Sequence, residues 1–397
     1  MARTQLEPGA QAPKGSIPLC VPKIMGKEQE YLKECLESNW VSSSGPFVDR
    51  FEQEIARRVE TKHAVSTVTG TAALHIALLV AGVSQNDEVL VPSLTFIAPA
   101  NAVRYVGAWP VFIDVEPEYW QMDPEEVKCF LETKCRWDHG RLINKMTGHQ
   151  VKAILPVHIL GHPVDMGPIT EAARAYNLVV IEDATESLGA TYKGRPVGHL
   201  GDIACFSFNG NKIITTGGGG MIVTDRDDWA SKARYLTTQA KDDPLEYVHK
   251  EIGFNYRLSN VQAALGCAQL ETLDERIAAK RRIAAIYSAA WEDVDGISGM
   301  LEAPWARSIF WLYTVLVDPL RFRTDSRGLL RLLEDHCIQS RPLWQPLHLS
   351  PAHRESRVIR CIVAERLNQQ ALSLPSSVGL SPGEQETVVA VTKGGET

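Results

Sequence analysis

The sequence predicts an α/β protein: a mostly parallel central sheet covered by helices, followed by a smaller C-terminal α/β unit. Two observations carry this. Short Val/Ile-rich runs alternate with helical patterns between about residues 63 and 225, and near-continuous apolar strands belong to a sheet buried on both faces. The chain also has 397 residues, 44% of them hydrophobic and 22% charged, which suits a globular protein with one large and one smaller domain.

The first 16 residues are polar with Pro and Gly, predicting a loose arm. Two helical patterns follow between 25 and 58, separated by Trp40 and SSSGP (42–46). HAVSTV (63–68) is a β-branched strand that runs into the helical TGTAALHIALLVAG (69–82), closed by Gly82. EVLVP (88–92), a helix over 97–107, PVFIDV (110–115), VKAILPVH (151–158), a helix over 166–177 and LVVIEDA (178–184) continue the alternation. DIACFSF (202–208) and GMIVTD (220–225) complete it. Polar, Gly-containing text at 129–150 reads as an inserted hairpin or loop. A single long helix is predicted over about 259–290, from Val261, Leu265, Leu270 and Leu273. SIFWLYTVLV (308–317), a helix over 326–336 and an amphipathic stretch over 357–373 form the C-terminal part. The predicted organisation is an arm (1–16), a large domain (17–258) and a linking helix with a small domain (259–397).

Composition excludes several classes. Lys and Arg number 41 against 48 Asp and Glu, a net charge of −7, with no Lys/Arg block. Neither nucleic acid nor an anionic membrane is expected as a partner. The N-terminus lacks the apolar core of a signal peptide, and the longest apolar stretch, 72–83, is interrupted by His75 and too short to span a bilayer. Eight scattered Cys form no CxxC pair, so reduced thiols in a cytoplasm are expected and no metal site.

Four segments carry candidate chemistry. Thr69, Gly70, Thr71 and Ala72 lie at a strand-to-helix junction, where free N–H groups suit an anion, although a simple helix cap explains the same residues. Glu182, Asp183 and Glu186 end an apolar strand, and a half-buried acid there wants a cationic partner such as a pyridinium N–H, or caps the next turn. Lys212 sits between a strand and four glycines (217–220), with Ser207 placed to donate to a phosphate. A desolvated Lys forms Schiff bases, whereas a solitary loop Lys is ordinarily a solvated cation. Asn255 and Arg257, just before a helix that Ser259 can cap, could reach an anion or serve structure alone. Phe96 follows another strand and reads as a stacking group or as core. His158 and His162 could line a pocket or order a loop. Trp344 and His348, in RPLWQPLH (341–348), suit a substrate lid or domain packing equally.

Taken in order, GTAALH (70–75), EDATES (182–187), FSFNGNK (206–212) and GFNYRLSNVQAALG (253–266) resemble the sugar aminotransferases of the DegT/DnrJ/EryC1/StrS group, pyridoxal phosphate enzymes of fold type I. The resemblance spans about 17–375. It implies that Lys212 holds pyridoxal phosphate covalently, that Asp183 pairs with the ring nitrogen, and that Phe96 stacks on the ring. It implies a phosphate site at Thr71, Ala72 and Ser207. It further implies a homodimer with shared active sites, Asn255 or Arg257 reaching the neighbouring subunit's phosphate. Glu186 stands where many members carry His or Gln beside the cofactor. With NWVSSSGPFVDRFE (39–52), LTFIAPANAVRY (94–105), VHILGHPVDM (157–166) and the insertion, Glu186 looks most like the bacillosamine and legionaminic acid branch. That branch implies glutamate as donor and C4 of a nucleotide-linked, UDP-type 4-keto-6-deoxy-N-acetylhexosamine as acceptor. The rivals are a 3-keto substrate, a dehydratase (those relatives carry His in place of this Lys) and a regulator without turnover.

Overall fold

The structure, a computed structural model, describes residues 15–243 and 245–394. The predicted arm lies outside the described residues except for its last two positions.

Eight strands form the large sheet in the order His63–Thr67, Gly220–Thr224, Ile203–Ser207, Val179–Asp183, Val151–Ile154, Glu88–Pro92, Trp109–Ile113 and Arg357–Val358. Neighbours are parallel except Gly220–Thr224, which is antiparallel to both of its own. All seven strands read from the sequence are present. In the middle of the sheet their side chains alternate between two cores. Val89, Val91, Phe112 and Ile181 enter one, and Leu90, Val111, Ile113 and Val180 enter the other. That alternation is why the strands read as continuous apolar runs instead of a polar/apolar alternation. A second, four-stranded antiparallel sheet joins Ile297–Gly299, Tyr313–Val317, Ala371–Leu374 and Arg341–Pro342. No helix among the described residues is long and apolar enough to cross a membrane.

Four expectations change. The helix predicted over 259–290 is two helices, Asn260–Glu271 and Leu273–Trp291. Thr272 leaves helical dihedrals (φ −108°, ψ 13°), and its hydroxyl takes the Gln269 carbonyl at 3.2 Å, competing with the helical backbone for that acceptor. The start of the insertion belongs to the helix Pro124–Lys134, capped by Asp123, which buries Phe130 and Leu131. Only Cys135–Asp138 and Arg141–Asn144 make the hairpin, turned at His139 and Gly140 with φ of 48° and 79°. The fully buried Glu88 anchors it, accepting from Asn144 Nδ2 at 2.8 Å and Thr147 Oγ1 at 2.7 Å. The amphipathic stretch over 357–373 divides into an edge strand, the helix Ile362–Gln370 and the strand Ala371–Leu374. The large sheet captures the first part through the Phe112 carbonyl, and Asp114 receives the N–H groups of Val363 and Ala364 at 2.9 Å to start the helix. A further helix, Pro382–Lys393, has a Ser381/Glu384 capping box that the sequence displays.

Helix Asn260–Glu271 packs on helix Pro46–Arg58 through small residues, and Gly266 faces the Phe51 ring. A Cβ there would lie 2.7 Å from that ring. Gly266→Ala is therefore expected to lower stability: overpacking costs about 1–3 kcal/mol, more than the roughly 1 kcal/mol of helix propensity gained. Chemical denaturation checks this, and an unchanged or raised midpoint would refute the close-packing account.

Candidate active site

The parallel strands Glu88–Pro92, Val179–Asp183 and Ile203–Ser207 deliver their C-terminal ends to one place, where α/β sheets collect ligands. A cavity of about 330 Å³ opens there. Residues around it include Gly70, Thr71, Phe96, Asp183, Glu186, Ser207, Lys212, Trp311 and Trp344.

The strand pleat separates two neighbouring acids. Glu182 points away from the cavity, fully buried. It accepts the N–H groups of Gly198, Leu200 and Gly201 at 3.0, 2.7 and 2.6 Å and pairs with His158 Nε2 at 3.1 Å. Burial opposes its ionisation, but His158 and the amides together hold its carboxyl below the usual range. Asp183 faces the cavity, and its Oδ1 accepts the Thr185 N–H at 3.0 Å. Burial pushes its carboxyl up, against the Thr185 hydrogen bonds and the Lys212 charge. Cys205, its partner on the parallel neighbour, sets Ser207 two residues further along the same edge.

Lys212 lies in the turn after Ser207, its N–H donating to the Asn209 carbonyl at 3.0 Å. Its amine is 3.5 Å from Glu186 Oε1 and 4.2 Å from the centre of the Trp311 ring. The side chain is 13% exposed, so this is not the solvated surface cation of the bland alternative. Burial pushes the Glu186 carboxyl up, Lys212 and the Leu160 N–H pull it back, and Asp183 adds to the rise. The glycines behind Lys212 serve approach. At Gly220 a Cβ would lie 2.5 Å from the Thr69 carbonyl, and Gly217 takes φ +80°.

Opposite Ser207 stands the N-terminus of helix Gly70–Val80. Thr69 is its cap, accepting from the Ala72 N–H at 3.0 Å. The N–H groups of Gly70 and Thr71 have no partner among the described residues. A Cβ at Gly70 would lie 2.8 Å from Ser207 Cβ, so glycine lets the two walls converge on a small anion. Ala72 departs from its expected role. Its amide is consumed by the cap, its side chain is buried, and it does not line the cavity.

Phe96 lies on the cavity wall with 54% of its surface exposed. Asn255 and Arg257 lie outside the cavity. Asn255 is exposed and bridges to Thr238 through its backbone. Arg257 is not free to reach an anion: its Nη1 donates to Glu52 Oε1 at 2.8 Å and is 10% exposed at the side chain. Glu52 also accepts from the Ser66 N–H and hydroxyl and from Arg234. Arg257 is thus held in a buried ion pair with Glu52, which occupies the guanidinium expected to reach a neighbouring subunit's phosphate. His158 and His162 are loop-ordering groups as well. His162 accepts the Ala303 N–H at Nε2, and burial pushes it down to about 4. Sequence reasoning passed over Thr185 and Trp311. The Asp-x-Thr turn around Asp183 was a legible signal for the first, and no local pattern marks the second.

These groups suit pyridoxal phosphate. The unpaired amides of Gly70 and Thr71 with the Ser207 hydroxyl offer a phosphate cradle, Asp183 a carboxylate for a protonated ring nitrogen, and Lys212 an amine for the aldehyde.

Known proteins resemble the chain over nearly its full length. The profile of the DegT/DnrJ/EryC1/StrS aminotransferase family matches residues 22–393. GDP-perosamine synthase of Caulobacter vibrioides is 40% identical over 375 residues, covering 94% of this chain and 96% of that protein. GDP-perosamine synthase of Escherichia coli O157:H7 is 39% identical over 365 residues, with 92% and 94% covered. A crystal structure of a DegT DnrJ EryC1 StrS aminotransferase from Brucella abortus superposes with a TM-score of 0.84 at 28% identity, over 93% of this chain and 95% of that one.

The Glu52 cluster sets an expectation. Burial opposes the Glu52 charge, but Arg257, Arg234 and the Ser66 N–H hold its carboxyl below the ordinary value of 4.5. A depressed folded-state pKa stabilises above the unfolded value, and that contribution is lost as pH falls through the folded one. Glu52→Gln should cost about 3 kcal/mol at neutral pH. The difference from wild type should shrink as pH drops below 4.5. Urea titrations across pH check this, and a difference independent of pH would contradict it.

Proposed function

We propose that this chain, which belongs to the DegT/DnrJ/EryC1/StrS aminotransferase family, transfers an amino group from glutamate to C4 of a GDP-linked 4-keto-6-deoxyhexose. It is a pyridoxal phosphate-dependent sugar aminotransferase. The observation that carries the residue-level reading is the buried Lys212 amine, set between Glu186 and Trp311 in the cavity that Asp183 enters. The nucleotide is argued from the two GDP-perosamine synthases, which match over almost their whole length. Amination at C4 follows the sequence-based reading of the acceptor as a 4-keto sugar. A UDP-linked N-acetylated acceptor is the second reading, supported by Glu186 and the segments at 39–52, 94–105 and 157–166.

In this reading each group has one task. The amides of Gly70 and Thr71 and the Ser207 hydroxyl bind the cofactor phosphate. Asp183 keeps a proton on the ring nitrogen, favoured because two opposite charges compensate each other where each alone would be costly to bury. Phe96 supplies an apolar face for the ring. Bound pyridoxal phosphate supplies an electron sink for the carbon that loses its proton. Lys212 Nζ takes a proton from Cα of glutamate as base and, in the second half of the reaction, returns one to C4 of the sugar as acid. Glu186 orients that amine. The same reading includes a homodimer, with Asn255 as the candidate for crossing to the second copy's phosphate: it is exposed, whereas the Arg257 guanidinium is engaged by Glu52.

Two measurements test this. The purified protein is expected to acquire visible absorbance with pyridoxal phosphate. Lys212→Ala should lose that absorbance and all detectable transamination, and retained activity would remove Lys212 from its role. With glutamate, parallel incubations with GDP-linked 4-keto-6-deoxymannose and UDP-linked 4-keto-6-deoxy-N-acetylglucosamine are read by mass. An amine product formed with higher kcat/KM from the GDP sugar is expected. Preference for the UDP sugar would establish the second reading, and product from neither would refute both.

A further inference from the structure

The Pro-rich stretch carrying Trp344 and His348 has no part in the proton transfers above. His348 lies between two separate segments. Its Nδ1 is 2.6 Å from Ser93 Oγ and its Nε2 is 3.1 Å from Glu365 Oε1. A carboxylate at Nε2 requires that nitrogen to donate, which leaves Nδ1 to accept the Ser93 hydroxyl. The order hydroxyl, imidazole, carboxylate is that of a hydrolytic triad. Ser93, however, is wholly buried, so no substrate reaches its oxygen and nucleophilic work is excluded. What the three groups can do is hold position.

Their location shows what they hold. Ser93 follows strand Glu88–Pro92 directly, and its carbonyl also accepts the Leu347 N–H at 2.8 Å. Thr95 and Phe96, just beyond it, line the cavity, and so does Trp344, four residues before His348. Asn368 Nδ2 donates to the carbonyls of Leu343 and Trp344 at 2.8 and 3.0 Å. Trp344 is thereby fastened on one side to helix Ile362–Gln370 and on the other, through His348, to the strand end carrying Phe96. Two aromatic side chains from distant parts of the chain meet the same cavity because this link ties their backbones together.

We propose that Ser93, His348 and Glu365 form a positioning relay that seats Trp344 in the cavity wall and so sets affinity for the acceptor sugar. Breaking it strands a buried hydroxyl and lets the Trp344 segment move, and a displacement near 1 Å at a binding wall is costly. The proposal takes its ligand from the sugar aminotransferase reading, and its test includes a measurement that needs no substrate.

In His348→Ala, amide hydrogen exchange over 343–349 is expected to quicken while exchange over 203–207 stays as in wild type. With the keto-sugar that wild type turns over, KM should rise about ten-fold and kcat change less than about three-fold. KM for glutamate should move less than KM for the sugar. Trp344→Ala should reproduce the rise in sugar KM. Ser93→Ala combined with His348→Ala should be no worse than His348→Ala alone, as for groups acting as one unit. Glu365→Gln, at a position 44% exposed at the side chain, gives a milder form of the same effects if His348→Ala does not fold. Unchanged exchange over 343–349, or a loss confined to kcat, overturns the relay. If wild type aminates neither sugar, the substrate reading fails and hydrogen exchange alone decides the relay.

Discussion

Glu186 accepts the Leu160 N–H at 2.8 Å with one carboxylate oxygen and holds the Lys212 amine 3.5 Å from the other, and the cavity is assembled around that double contact. The Leu160 carbonyl accepts the Trp311 N–H at 2.9 Å. The Trp311 indole N–H donates to the Asn211 carbonyl at 2.7 Å, while its ring covers the Lys212 amine. The circuit closes on itself through four separate segments, at Leu160, Glu186, Asn211–Lys212 and Trp311. It requires an unusual backbone at the corner: Leu160 takes φ +58° and Gly161 φ +85°, and a Cβ at 161 would strike Ile309 at 2.6 Å. A non-glycine residue there costs about 1 kcal/mol or more, tolerated because its N–H and carbonyl are both used.

The sheet supplies the other half of the design. Adjacent acids at 182 and 183 are sent to opposite faces by the pleat, and their environments then diverge. Glu182 meets His158 and three amides and becomes an ionised clamp on the 198–201 loop. Asp183 meets the cavity, where only a cation compensates it fully. The two histidines of the 158–162 loop keep that loop's shape, and His158 is spent on Glu182. The chemistry-bearing groups therefore rest on a layer of buried polar contacts that never touch a ligand.

Sequence pattern exposes what is periodic or local. The seven Val/Ile strands were legible because each is buried on both faces, and the Thr69 and Ser259 caps because capping is decided within four residues. Local pattern failed where another group, near or far, competed for the backbone. Thr272 broke a helix through its own hydroxyl, and the sheet edge at Phe112 drew 357–358 out of a helical pattern. Ala72 and Arg257 likewise have polar groups that are already engaged. The Thr69 cap that takes the Ala72 amide is a local event, but no motif shows that Glu52, more than two hundred residues away, claims the Arg257 guanidinium.

The sequence by itself determined the α/β alternation, the family, the cofactor and the segments that would carry Lys212, Asp183 and Ser207, because these follow from periodicity and from short ordered motifs. Tertiary structure alone decided which face each acid took, which polar groups were already satisfied, and that Trp311, Trp344 and Phe96 share one cavity. Those outcomes depend on contacts outside any local motif, from His158 with Glu182 to Arg257 with Glu52. Burial there makes every hydrogen bond a choice among competing partners, and only the folded chain brings the competitors together.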